Sequence, residues 1–290
     1  KDPNGNQAAI DARYGKVGKT DVTDYSNPLG NIHLTSVNGI EIDTNTDKDT
    51  GSSINAVGNV RLKTTGDKGD IIVNASAVKS NNDVIILANG GGNVYTESSN
   101  VTADKDINVE STKNAARLSN SSFYAGRNIN ITSKKQVDSN KLATSVYSAN
   151  GDINLTSTDA DIVFLGLEPF TKYNNLNLKA AKDVQIYKTD DDLTVSRVNI
   201  DAGNDITLQS TNKNLTVGDV TFKNAKNINL NGGKNVKTAG TADVKGLKTY
   251  INAFTYVPST QRAFVKALLG EIPFNGKNPV SLEGYFEAEV

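Results

Sequence analysis

The passage Asp183-Val184-Gln185-Ile186, Leu193-Thr194-Val195, Val198-Asn199-Ile200 is followed at once by Asp205-Ile206-Thr207-Leu208, Leu215-Thr216-Val217, Val220-Thr221-Phe222. The two blocks match segment for segment, with first aliphatic positions 9, 5 and 8 residues apart in both. Within each segment aliphatic and polar residues alternate, the pattern of a strand with one buried face. Three such strands in 22 residues cannot bury a core alone. Repeated, they stack in parallel and share a thin aliphatic column, which is the logic of a solenoid.

Working outward, a motif of Asn or Asp, aliphatic, any residue, aliphatic recurs nine times, and all nine are expected to stack along one ladder. Its first aliphatics are Ile32, Val60, Val84, Ile107, Ile129, Ile153, Val184, Ile206 and Ile228, at steps of 28, 24, 23, 22, 24, 31, 22 and 22. The preceding residue is Asn31, Asn59, Asp83, Asp106, Asn128, Asp152, Asp183, Asp205 or Asn227, so every motif opens on a side chain able to bond nearby backbone and to tolerate a left-handed corner. Asn stacked on Asn in neighbouring coils would add amide ladders. The expected fold is therefore all-β, a parallel β-helix with about 22 residues and three short strands per coil. An antiparallel sandwich does not demand a fixed register over Ile162, Val184, Ile206 and Ile228. Leucine-rich repeats need segments that are missing, and Gly90-Gly91-Gly92-Asn93 only faintly echoes a calcium-binding nonapeptide, unrepeated and without its Asp.

Composition agrees with this reading once the repeat is seen. The 290 residues hold 31 basic and 32 acidic groups and no Cys, Met or Trp, which excludes disulfides, thiolate metal sites and a cysteine nucleophile. Near neutrality argues against binding nucleic acid through phosphates. Asn, Thr and Ser supply 85 residues, a share that would suggest disorder if the aliphatics were not so regularly placed. The longest apolar run, Val84 to Ala88, is too short for a membrane span. The chain opens on Lys1-Asp2-Pro3 without a secretion leader, and an internal fragment of a longer protein is expected.

Three divisions are expected: an irregular segment or incomplete coil over 1–29, β-helix repeats over 30–246, and a non-repeat segment over 247–290. In the last, seven of 18 aromatics lie between Tyr250 and Val290, and Ser259 can cap a helix ending at Gly270. This helix-containing segment reads as a cap on the open end, a binding subdomain or the start of another domain. Inside the repeats, the step of 28 points to a solvated loop around Asp43 to Ser53. The step of 31 sets Gly166 to Tyr173 outside the repeat, either as a small local core or as a recognition loop.

Chemistry is sparse. His33 sits between Ile32 and Leu34 at an outward position. The acids Asp159, Asp161 and Asp190 to Asp192 fall in turns, so no catalytic residue, cofactor site or metal site is expected, although parallel solenoids also house polysaccharide lyases and hydrolases.

Gly30-Asn31-Ile32-His33-Leu34-Thr35-Ser36, Arg127-Asn128-Ile129-Asn130-Ile131-Thr132-Ser133, Gly151-Asp152-Ile153-Asn154-Leu155-Thr156-Ser157 and Gly203 to Ser210 resemble the repeats of filamentous haemagglutinin-like two-partner-secretion exoproteins of Gram-negative bacteria. The resemblance covers roughly residues 30 to 246. It implies a right-handed β-helix, export through an outer-membrane partner, and display on the cell surface. It further implies an adhesin or a contact-dependent growth-inhibition effector that meets a protein or glycan on a target cell. On that reading Phe170, Lys172 and Tyr173 would contact the receptor. A passive stalk and a polysaccharide-active β-helix stand as alternatives.

Overall fold

In the computed structural model the described residues are 9–11, 16–17, 30–43, 52–139, 144–165 and 173–245. They fall within one unit, Lys1–Lys248; Thr249–Val290 and the helix expected there lie outside the described residues, as does most of 1–29. Three parallel sheets, here A, B and C, wrap the chain into a β-solenoid of about 23 residues per turn. No helix among the described residues is long and apolar enough to cross a membrane.

Up to Ser145–Ser148 each turn runs through B, C and A; in later turns the third side is the first half of a long strand of sheet B, Leu193–Ala202 or Leu215–Lys223. Ile129–Ser133 lies in sheet B, Val137–Asp138 in C and Ser145–Ser148 in A, after which Ile153–Ser157 re-enters B beside Ile129–Ser133. Alternation sends every second side chain inward: Val60, Leu62, Ile129, Ile131, Ile153 and Leu155 are fully buried. Each such aliphatic stabilises the fold by roughly 1.5–3 kcal/mol. Phe123, Phe164 and Phe222 are the bulkiest of the fully buried side chains. The Ser that closes the Ile-x-Leu-Thr-Ser motif also points inward. Ser157 donates to the carbonyl of Lys135 at 2.6 Å, while its Oγ accepts from the Ala160 N–H, so the strand ends where its hydroxyl takes over turn bonding.

The nine motifs do not form one ladder. Sheet B pairs Ile32, Val60, Val84, Ile107, Ile129 and Ile153 in sequence, then continues through Leu176, Val198, Val220 and Ala242. Val184, Ile206 and Ile228 belong instead to sheet C, in register with Ile162. The expected step of 31 therefore joins positions on two different faces. The true steps are 23, from Ile153 to Leu176, and 22, from Ile162 to Val184. The interval that contains positions 166–172, which lie outside the described residues, is thus of ordinary length. The step of 28 does hold extra residues, between Gly39–Ile42 of sheet C and Ser53–Ala56 of sheet A.

The jump in the motif follows a turn that changes corner. Up to Ser122–Ala125, the chain passes from C to A through two residues, one of them left-handed (Ala75, Ser98 or Asn120), and from A to B through three. Later the corner entering B shrinks to one left-handed residue, Arg197 or Asp219, inside a continuous long strand, while the passage from C to that strand grows to four residues, 189–192 and 211–214. Turn length is exchanged between corners and the coil stays near 22 residues.

The Asx residues follow the longer turn, and their bonds run between coils rather than within one. The N–H of Asn59 donates to Asn31 Oδ1 (2.7 Å), and the series continues through Asp83, Asp106, Asn128 and Asp152 to Asn175, whose N–H reaches Asp152 Oδ1 at 3.0 Å. A second series joins Asp161, Asp183 and Asp205 before sheet C, and a third joins Asp192, Asn214 and Asn235 before the third side. None of the Asx in the first series has a left-handed backbone. Gly90 has a different reason for its identity: a Cβ there would lie 1.9 Å from the carbonyl oxygen of Gly66 in the stacked turn below. The glycine run is a packing requirement of stacked turns.

Candidate functional site

The outward faces differ in how much of their chemistry is already spent. On sheet B, Asn108, Asn130, Asn154, Asn177 and Asn199 form one column, each amide donating to Oδ1 of the Asn one coil earlier at 2.8–2.9 Å. Such a ladder uses its donors and acceptors internally, each bond adding about 0.5–1.5 kcal/mol. On sheet C, the Arg117 guanidinium lies over the Tyr95 ring at 5.8 Å and its Nε is 3.7 Å from Asp138 Oδ2. At the turn before sheet B, Arg127 bonds Asp106 at 2.8 Å and lies 3.7 Å from Asp83.

Sheet A is different. Outward positions of Ser53–Ala56, Ala77–Ser80, Asn100–Ala103, Ser122–Ala125 and Ser145–Ser148 are Ser, Asn, Ala, Thr and Tyr, with Lys79 as the single charge. One column reads Asn55, Lys79, Thr102, Tyr124, Tyr147 in strict Cα register. The rings of Tyr124 and Tyr147 stack at 4.6 Å with 9° between planes, and Tyr124 remains 45% exposed. Strand pairing forces this stack, because both tyrosines occupy the same outward position one coil apart. A sparsely charged surface of Tyr, Ser and Asn is the composition that recognition surfaces use for adaptable contact at low entropic cost.

Of the three residues expected from sequence, Tyr173 alone lies among the described residues. Phe170 and Lys172 are outside the described residues. Tyr173 sits in the core rather than on the surface, 6% exposed, its hydroxyl donating to the carbonyl of Ser196 at 2.7 Å. The guanidinium of Arg197 lies 5.3 Å from its ring, and Arg197 is the left-handed corner of the next coil. Burial pushes the Tyr173 phenol above its ordinary value, against the lowering effects of the Ser196 bond and of Arg197. Tyr173 therefore fastens the coil in which the turn changes corner.

The acidic side chains are engaged in turns. Asp161 accepts the N–H of Asp183 at 3.1 Å, Asp159 lies 3.8 Å from Lys134, and Asp190 accepts the amide of Asn212 at 2.9 Å. Asp192 accepts both the N–H and the side-chain amide of Asn214 at 2.9 Å, with the backbone bond the larger cause holding its carboxyl below the ordinary range. No group of three or more His, Cys, Asp or Glu among the described residues is placed to hold a metal ion, and His33 is exposed on sheet B.

Sequence reasoning missed Tyr124 and Tyr147 because it looked for aromatics at breaks in the repeat. The usable signal was their interval of 23 residues, one coil, at the outward position of the third strand. Compared with protein-family models, with curated proteins and with solved structures, the chain matches none.

Proposed function

We propose that this chain is a non-enzymatic receptor-binding segment of a bacterial surface-displayed exoprotein of the filamentous haemagglutinin-like, two-partner-secretion kind. On this reading it reaches the cell surface through an outer-membrane transporter and meets a receptor on a target cell, in adhesion or contact-dependent growth inhibition. The repeat motifs quoted above and the β-solenoid support the kind of protein. The observation that carries the binding role is the Tyr124–Tyr147 stack, with Tyr124 exposed, on the sparsely charged face of sheet A. Phe170 follows Tyr147 by a further 23 residues, which keeps it in the proposal. Tyr173 acts behind the surface as an anchor.

Purified chain is expected to bind target cells saturably. The double substitution Tyr124→Ala with Tyr147→Ala should weaken that binding by at least about tenfold, the effect of truncating a hot-spot aromatic. Its melting temperature should stay close to that of the parent, because neither ring supports the core. Unchanged binding by this variant would sink the assignment. The internally satisfied Asn ladder of sheet B favours a second reading, a passive stalk, which predicts no saturable binding to any cell type.

A further inference from the structure

The same surface restricts the chemistry of what it binds. Lys79, Thr102 and Tyr124 occupy consecutive strands of sheet A in Cα register. At a strand spacing of about 4.8 Å, Lys79 and Tyr124 stand roughly 10 Å apart with the short Thr102 between them. Tyr147 covers one face of the Tyr124 ring. The other face looks over Thr102, too short to cover it, which accounts for the 45% exposure of this tyrosine. The result is a shelf one strand wide. Its floor is the Thr102 hydroxyl, one wall is an aromatic face, and the other is the ammonium of Lys79. The Lys79 ammonium makes no hydrogen bond or ion pair among the described residues. Asn100 and Ser122, both exposed on the same strands, border it with an amide and a hydroxyl.

An aromatic face beside hydroxyl and amide groups suits a pyranose ring, whose C–H face is apolar and whose rim is hydroxylated. The ammonium gives the site a place for one negative charge, since a charge-assisted bond to carboxylate is stronger than a neutral one. Size separates this occupant from a folded protein. Five strands of four residues make a face of about 13 by 20 Å, roughly 250 Å², against about 800 Å² per partner in a stable protein interface. An oligosaccharide fits the available area.

We propose that the shelf at Thr102, between the Tyr124 ring and the Lys79 ammonium, binds a carboxylated pyranose of a target-cell glycan. This rests on the receptor-binding reading above and narrows its ligand. The test is calorimetric titration of the whole chain with a galacturonic acid hexamer and with its carboxyl-reduced, neutral counterpart. The hexamer should bind, and bind better than the neutral form. Tyr124→Ala should reduce its affinity by about tenfold or more while Tyr124→Phe retains it. Lys79→Gln should abolish the preference for the acidic form and leave binding of the neutral form in place. Absence of binding to either sugar, equal affinity of the parent for both, or full affinity in Tyr124→Ala would overturn the proposal. A cell-binding arm separates it from the reading it rests on. Tyr124-dependent cell binding that is lost on protease treatment of the cells but survives periodate oxidation of their glycans would overturn the glycan while keeping the receptor role. Cell binding indifferent to Tyr124 and Tyr147 would overturn the receptor role itself.

Discussion

Two breaks in the spacing of the Asx motif, the step of 28 before Val60 and the step of 31 before Val184, look alike in the sequence and have different origins in the fold. The first contains surplus residues. A strand of sheet C ends at Ile42 and one of sheet A begins at Ser53, and the hydroxyl of Ser52 donates to the carbonyl of Asp43, so the residues flanking the surplus meet. The second contains no surplus, because Ile153 to Leu176 is an ordinary 23-residue turn. What changes there is the corner that carries the longer turn, and the Asx residue moves with it. A break in a repeat can mean that the chain has gained residues or that its turn chemistry has changed place.

The largest expected effect comes from deleting at each break. Replacing residues 44–51 by Gly-Gly should cost little, about 1 kcal/mol or less, because the flanking Asp43 and Ser52 are already hydrogen-bonded to each other. Deleting 166–172 leaves the chain seven residues short between Ile153 and Leu176, which pair one coil apart, and should abolish cooperative unfolding of the repeats that follow. Equal tolerance of the two deletions in thermal denaturation would erase the distinction. Next in size is the anchor at the second break. Tyr173→Ala should destabilise by about 3–5 kcal/mol, as for other buried aromatics. Tyr173→Phe, which loses only the bond to Ser196, should cost about 1 kcal/mol. A Tyr173→Ala variant as stable as the parent in urea titration would place this ring outside the core.

The smallest effect concerns acid. Asp192 lies in the four-residue passage created by the moved turn, and the Asn214 bonds hold its carboxyl below the ordinary range. A lowered folded-state value means that its stabilisation is fully present above the ordinary carboxylate range and is lost as pH falls through the lowered value. Asp192→Asn should therefore narrow the gap in melting temperature between about pH 7 and about pH 2. A gap as wide as the parent's would remove Asp192 from the acid response.

Much of the fold was legible because alternation and coil length are properties of sequence alone. Ile129, Ile131, Ile153 and Leu155 announce their inward positions by spacing, and Asn130 and Asn154 announce an amide column by recurring at the same outward place. Which face a motif belongs to was not legible. Asx marks a turn, and the same Asx-aliphatic signature precedes sheet B at Asp152 and sheet C at Asp183. Assigning both to one column made residues 166–173 look like an insertion and Tyr173 like a surface group, whereas its ring closes the corner at Arg197. The outward tyrosines were hidden for a related reason. Tyr124 stands beside Phe123, and only the register of sheet A decides which of two adjacent aromatics points inward.

The absence of cysteine from the chain permits a direct test of that register. Sheet B pairs Asn154 with Asn177, one coil apart, whereas a single ladder through all nine motifs would pair Asn154 with Gln185. Adjacent parallel strands bring Cα atoms within the roughly 4.4–6.8 Å that a disulfide spans. Under mild oxidation Asn154→Cys with Asn177→Cys should cross-link within one chain, and Asn154→Cys with Gln185→Cys should not. Cross-linking of the second pair and not the first would contradict the account.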